Sequence, residues 1–291
     1  MIPFKEALRS KDFVVTVEMP ILPETTAATL VADAASVADC VDGLLLTDNQ
    51  YGQPHMSPAA AAGILLNHGY APILQLSCRN RNRIALIGEL LGARATGIDS
   101  LMLVRGGVLP DGYSPRPKAV MDTDAKELIA TAKLIGEDGR LGPEGDLLIG
   151  TSATVHTPAP GSEPGELLAK ADAGAQLVIA QICQDIDVIR RYMDFLIAHK
   201  LTQRLSVIVS VTVVASAEVA VWLRANRGGT VIPDSLLERL TESGFSEESA
   251  IAETAQLIEE LRGVPGVSGV NLAALPSAQL AARILAAAGV A

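Results

Sequence analysis

Along this chain, apolar positions rarely alternate with polar ones. They come in short unbroken runs, each followed by a longer stretch in which apolar residues recur every three or four positions. The runs are "FVVTVE" (13–18), "DGLLLTD" (42–48), "APILQLS" (71–77), "DSLMLVR" (99–105), "DLLIGTSA" (146–153), "AQLVIAQ" (175–181), "LSVIVSV" (205–211) and "VSGVNLA" (267–273). They are rich in leucine and β-branched residues and apolar on both period-two faces. That predicts strands buried on both sides, as in a parallel sheet. The periodic stretches predict helices over 24–39, 57–68, 81–96, 123–136, 163–173, 185–199, 215–226, 247–262 and 276–289. Start signals stand at Ser57-Pro58, at Asp122 ahead of "TDAKELI", and at Pro276-Ser277. Gly69, Gly97, Gly174 and Gly289 mark helix ends.

Strand–helix alternation repeated over 291 residues predicts an α/β protein with one domain, 1–291, folded as a (β/α)8 TIM barrel. An open doubly wound sheet is the alternative. No G-x-G-x-x-G follows a strand and no Walker lysine loop is present, which argues against a Rossmann or P-loop nucleotide site. Neither a linker nor a low-complexity tract divides the chain.

Composition narrows the partners. With 49% hydrophobic residues the chain has ample material for a large core, and a net charge of −10 without a basic block disfavours nucleic acid and anionic membrane. Cys40, Cys78 and Cys183 lack C-x-x-C spacing and the four histidines are scattered, so no metal site is expected. The opening "MIPFKEALRSKDF" lacks an apolar signal core and no run reaches membrane-spanning length. A cytoplasmic protein with reduced thiols is the expectation.

A barrel binds its ligands at the C-terminal ends of the strands. Strand one ends in Glu18, where a carboxylate closing an apolar run needs a partner or a cavity. It reads either as a salt-bridged or capping glutamate, or as a general acid whose pKa is raised by a desolvated barrel mouth. The other strand ends offer Thr47-Asp48-Asn49, Gln75, Ser77, Arg105-Gly106-Gly107, His156 and Gln181. Uncharged groups such as Thr47, Gln75 and Gln181 suit the edge of a neutral heteroaromatic ligand. Arg79, Arg105 and Lys170 suit phosphate or carboxylate. The turn "RNRNR" (79–83) also reads as a solvated helix start, and His156 as a hydrogen-bonded structural group. Between Gly106 and Met121, Pro110, Gly112, Pro115 and Pro117 predict an ordered but irregular loop.

Several stretches, taken in order, carry a resemblance. They are "VTVEMP", "LLLTDNQ", "ILQLSCRNRN", "ELLGARATGIDSLMLVRGG", "PKAVMDTDAKELI", "LLAKADAGAQLVIAQ", "VIPDSLLERL" and "VPGVSGVNL…AARIL". Together they cover nearly the whole chain, which resembles the methylenetetrahydrofolate reductases. Those are flavin-dependent (β/α)8 barrels that reduce methylenetetrahydrofolate to methyltetrahydrofolate. The resemblance implies FAD as cofactor, NADH or NADPH as hydride donor, a folate substrate and a homo-oligomer. It implies that Glu18 is the catalytic acid that opens the folate five-membered ring to an iminium. It implies that Gln181 hydrogen-bonds the pterin and that Asn49 lies among the substrate-binding residues. Thr47, Gln75, Arg105, Gly106, Gly107, Ala119, His156 and Lys170 would line the flavin.

The sequence also departs from the family pattern. Gly107 stands where the family has an aspartate, and Gln75 where many members have histidine. Glu166 and Ala169 fall where asparagine and arginine often face the flavin diphosphate. "VTVVAS" after strand seven lacks an aromatic, and aromatic residues are only 3% of the chain. Two function classes follow. One is a reductase, through FAD or by direct hydride transfer from nicotinamide to folate. The other is a non-redox folate-binding partner or carrier subunit of one-carbon metabolism. A phosphate-binding barrel unrelated to folate rests on the fold alone.

Overall fold

The computed structural model describes residues 1–109, 112, 115–139, 147–242 and 244–290. Pro110, Asp146 and Ala291, named in the sequence reading, lie outside them. The strands are β1 (Val14–Glu18), β2 (Gly43–Leu46), β3 (Pro72–Ser77), β4 (Ser100–Val104), β5 (Leu148–Ala153), β6 (Leu177–Ile182), β7 (Ser206–Val211) and β8 (Val267–Leu272). All neighbours pair in parallel, and β1 pairs with β8, so the sheet closes in sequence order. The (β/α)8 barrel is the observed architecture and the open sheet is excluded.

The unalternating apolar runs are explained by this closure. One face of each strand, carrying residues such as Val15, Val17, Leu44, Leu46, Leu74 and Leu76, packs outward under the helices. The other face fills the barrel with Val14, Leu45, Ile73, Met102, Leu148, Leu177, Ile179 and Ile208. Each fully buried side chain of this size contributes roughly 1.5–3 kcal/mol. Toward the C-terminal end the interior turns polar. Thr16 Oγ1 donates to Asn271 Oδ1 at 2.9 Å, and Asn271 Nδ2 donates to Ser210 Oγ at 3.0 Å.

The helices that connect these strands in chain order, after an N-terminal α1 (Phe4–Ser10), are α2 (Ala27–Ala35), α3 (Pro58–Asn67), α4 (Arg83–Thr96), α5 (Ala125–Glu137), α6 (Gly165–Ala173) and α7 (Ile186–Ala198). They continue with α8 (Ala217–Asn226), α9 (Asp234–Arg239), α10 (Glu247–Arg262) and α11 (Ala278–Ala287). Two were not predicted. α1 closes the N-terminal end of the barrel by burying Phe4 and Ala7 among the interior residues. A Cβ at Gly43 would lie 2.7 Å from the Phe4 ring, which is why that strand begins with glycine. α9 is a short helix inside the β7–β8 connection. Asp122 is not the cap of α5. Asp124 takes that role, accepting from the Glu127 N–H at 2.9 Å, while Asp122 accepts from the Arg83 N–H. Ser277 caps α11 as expected.

Candidate active site

β1 delivers Glu18 to the barrel mouth. Period-two alternation turns Val15 and Val17 outward, so Glu18's sequence neighbours do not surround its carboxyl. What meets it comes from elsewhere. Arg227, which follows α8, forms a bidentate pair: Nη1 donates to Oε1 at 3.0 Å and Nη2 to Oε2. The Ala274 backbone N–H donates to Oε2 at 2.9 Å, and Gln50 Nε2 approaches Oε1 at 3.4 Å. Both charged residues are only 8% exposed. Burial by itself pushes the Glu18 carboxyl up, but the Arg227 charge and these hydrogen bonds outweigh it and hold it below the usual range. The expectation of a carboxyl raised by apolar surroundings is therefore corrected. Of the two readings of Glu18, the structure shows the ion pair.

Above this pair lies a cavity of about 650 Å³, bounded by the ends of β1 and β2, the start of α8 and the segment after β8. Its walls include Met19, Leu22, Leu275 and Leu280, with Glu18 and Thr47 at the strand ends. Tyr51 and Trp222 meet edge to face on one side, with ring centroids 4.9 Å apart. Arg227 Nε donates to the Tyr51 hydroxyl at 2.6 Å, which links the aromatic wall to the buried ion pair. Burial pushes the Tyr51 phenol up, and the nearby Arg227 does not reverse this. The turn after β7 has no aromatic, as the sequence reading states, and Trp222 supplies one to this cavity. The ring comes from α8, further along the chain, rather than from the turn itself.

Of the flavin-lining residues the resemblance implies, Thr47 reaches this cavity. The others lie elsewhere. Gln75 projects into the barrel interior with Ile73, partway along β3. Arg105 is exposed at the end of β4. Gly106 has φ +88°, and a Cβ there would lie 2.4 Å from Ser77 Oγ and 2.7 Å from Arg79 Cβ. Its glycine is required by packing within the chain. A Cβ at Gly107 would meet nothing within 4 Å. Ala119 is exposed on the segment that returns beside β3, where the Val120 N–H donates to Arg79 O at 2.8 Å. His156 rests its ring 5.2 Å from that of Tyr192 on α7, and Nδ1 lies 3.0 Å from Thr154 O. This is the structural reading of that histidine. Lys170, 8% exposed, donates to Ser152 O at 2.9 Å and pairs with Glu166 at 2.8 Å.

The two substrate-side residues also stay outside the cavity lining. Asn49 adopts left-handed backbone geometry, and its Nδ2 donates to Gln53 O at 3.1 Å within its own loop. Gln181 faces the barrel interior with Leu177 and Ile179 from β6. A segment after α8 crosses the β6 end, where the Val231 N–H donates to Ile182 O at 2.9 Å.

The arginine-rich turn divides in two: Asn82 and Arg83 form the exposed start of α4, as the helix-start reading expects, while Arg79 and Arg81 turn inward. Arg79 is 4% exposed and its Nη2 donates to Asn49 O at 2.7 Å. Arg81 pairs with the buried Asp48 at 2.6 Å, and Asp48 also accepts from the Ser77 N–H at 2.8 Å. Asp48 therefore organises the β2 and β3 ends.

These contacts test whether the residues fit FAD. Of the cations expected near a flavin diphosphate, Arg79 is buried and donates to the Asn49 carbonyl, Lys170 carries Glu166, and Arg105 is exposed at the end of β4. Gly107 contributes no side chain, and seven of the expected contact residues lie outside the lining of this cavity. The cavity above Glu18 is therefore not lined by the residues expected to hold a flavin. Among the described residues no group of three or more His, Cys, Asp or Glu is arranged to hold a metal, and no helix is long and apolar enough to cross a membrane.

Sequence reasoning missed Arg227, Tyr51 and Trp222. Trp222 is the single tryptophan of the chain, a signal that was available. "NRGG" around Arg227 carries no comparable signal, because its partner lies 209 positions away.

The comparisons with known proteins agree with this barrel. An uncharacterised protein from Clostridium thermocellum that binds two copies of 5-methyl-5,6,7,8-tetrahydrofolic acid superposes with a TM-score of 0.67 at 14% identity, covering 98% of each chain. DmoA from Hyphomicrobium sulfonivorans gives 0.55 at 12% identity over 94% of this chain and 86% of that one. A 2,3-dimethylmalate lyase of the PEP mutase/isocitrate lyase superfamily gives 0.52 at 15% identity, over 98% and 82%. At these identities the likeness is one of fold. No curated protein matches the chain. The sequence model for methylenetetrahydrofolate reductase matches residues 4–289, and the chain belongs to that family.

Proposed function

We propose that the protein binds a reduced folate in the cavity above Glu18 and reduces 5,10-methylenetetrahydrofolate to 5-methyltetrahydrofolate with NADH or NADPH, by direct hydride transfer. The observation that carries this reading is the cavity itself. Glu18, the proposed acid, lines it together with the aromatic pair Tyr51 and Trp222, in a member of a folate-reducing family, and this supports the reading. A planar pterin or nicotinamide ring suits such a wall. In the reaction, Glu18 gives a proton to one of the two nitrogens flanking the bridging CH₂. That C–N bond breaks and leaves an iminium on the other nitrogen. Hydride from the reduced nicotinamide then makes the methyl group, and Glu18 remains as carboxylate.

The second reading, a folate-binding protein without redox chemistry, is favoured by the Glu18–Arg227 pair, which occupies the proposed acid. One experiment separates the two. Adding 5-methyltetrahydrofolate should quench the fluorescence of Trp222, and NADH should be oxidised when methylenetetrahydrofolate is supplied without FAD. Quenching without oxidation would establish the binding reading instead. Absence of both would remove folate from the site. Oxidation only with added FAD would restore the flavin.

A further inference from the structure

The contact that most constrains the proposed chemistry joins Glu18 to a residue 209 positions away. Arg227 touches both oxygens of Glu18 and donates to the Tyr51 hydroxyl, and both of those partners line the cavity. The other groups on the Glu18 carboxylate are the Ala274 N–H after β8 and Gln50 from the β2–α3 connection. Further out, His55, Glu218 and Glu247 line the same cavity. Arg227 is therefore the single cation on this carboxylate among the described residues, and every direct contact favours the ionised form.

We infer that Arg227 is a positioning residue for Glu18: it holds the carboxylate form in the open site and must yield its grip before Glu18 delivers a proton to bound folate. The inference rests on the reductase reading for its last step. The geometry explains why both states are needed. A carboxylate gripped by a guanidinium has no proton to give. The same grip stabilises the carboxylate left once the proton has gone to the folate nitrogen and the C–N bond has broken. Arg227 thus favours the product side of the proton transfer and opposes loading of the acid. Reductase turnover then falls with rising pH, about tenfold per unit above the Glu18 midpoint.

The test reads Glu18 and turnover separately. Full-length protein labelled with ¹³C at glutamate side-chain carboxyls, with the Glu18 signal identified by its loss in Glu18→Gln, is titrated with and without 5-methyltetrahydrofolate. In Arg227→Met the midpoint should rise by about 1–3 units, and the falling limb of NADH oxidation should move up by the same amount. Arg227→Lys, which keeps the charge and loses the fork, should fall between. Wild type needs no substitution to test the yielding step: saturating folate, followed by Trp222 fluorescence, should raise its Glu18 midpoint. An unchanged midpoint in Arg227→Met and Arg227→Lys overturns the inference. So does a wild-type midpoint that ignores saturating folate. If no form oxidises NADH, the reductase reading fails while the carboxyl titration still decides the role of Arg227.

Discussion

Two sides of the barrel mouth carry buried charge, and they use it differently. At β1, with the segments after α8 and β8, Glu18 borders a cavity large enough for a ligand ring and is gripped by Arg227. Further round the mouth, from the β2 and β3 ends to β5 and α6, Arg79, Arg81, Asp48 and Lys170 bind carbonyls, amides and carboxylates, and Lys170 is answered by Glu166. The resemblance to flavin-dependent reductases placed most of the cofactor contacts on the second side. The structure leaves open space on the first. A basic residue near a strand end therefore says little until its hydrogen bonds are known, since a buried cation with its donors satisfied has little left for a phosphate.

Substitutions on the two sides should separate function from architecture. The largest effect is expected from Glu18→Gln, which should lower NADH-dependent methylenetetrahydrofolate reduction by about 10²–10⁴-fold. Steady-state kinetics at fixed pH measure it, and a loss below tenfold would remove Glu18 from the chemistry. At the β2–β3 ends, Asp48→Ala should cost about 3–5 kcal/mol, because it leaves the buried Ser77 N–H unpaired and takes the 2.6 Å partner from Arg81, which keeps only Glu89 at 3.4 Å. Denaturant unfolding measures this, and an unchanged midpoint would show that the β2–β3 ends are not built on that carboxylate.

Acid should weaken the Glu18–Arg227 side in a predictable direction. The folded carboxyl is held below the ordinary glutamate value. Its contribution is thus full above about pH 4.3 and is lost as pH falls through the folded value. The difference in Tm between wild type and Glu18→Gln should shrink on acidification, and a difference that grows would contradict the ion pair.

Smaller effects sharpen the contrast. Gly106→Ala should destabilise by about 1–2 kcal/mol from its positive φ alone, with the Ser77 and Arg79 clash added. Trp222→Ala should weaken folate binding by about 0.5–1.5 kcal/mol, measured by calorimetry. Gly107→Asp should change stability by no more than about 0.5 kcal/mol, since its Cβ enters open space. If Gly107→Asp instead raised flavin retention, the two sides of the mouth would share the chemistry.

The fold was legible because each strand is buried on both faces, and that leaves the same unalternating mark eight times over. α1 escaped notice because seven residues around Phe4 and Ala7 are too short for a helical period to stand out. At the site, Glu18 was legible as a carboxylate closing an apolar strand. Its state was not. The apolar residues Val15 and Val17 that precede it point away from it, and the residue that governs it stands after a different strand. Likewise the aromatic wall was overlooked in the β7 turn, because Trp222 arrives one helix turn after α8 begins.

The sequence by itself determined the barrel, its family and the candidate acid, because those follow from local periodicity and from residues in a fixed order. Tertiary structure alone decided which charges are spent, where the cavity opens and whether Glu18 carries a proton. Those properties depend on what closure of the barrel brings together from distant strand ends, and a buried charge takes its character from that partner.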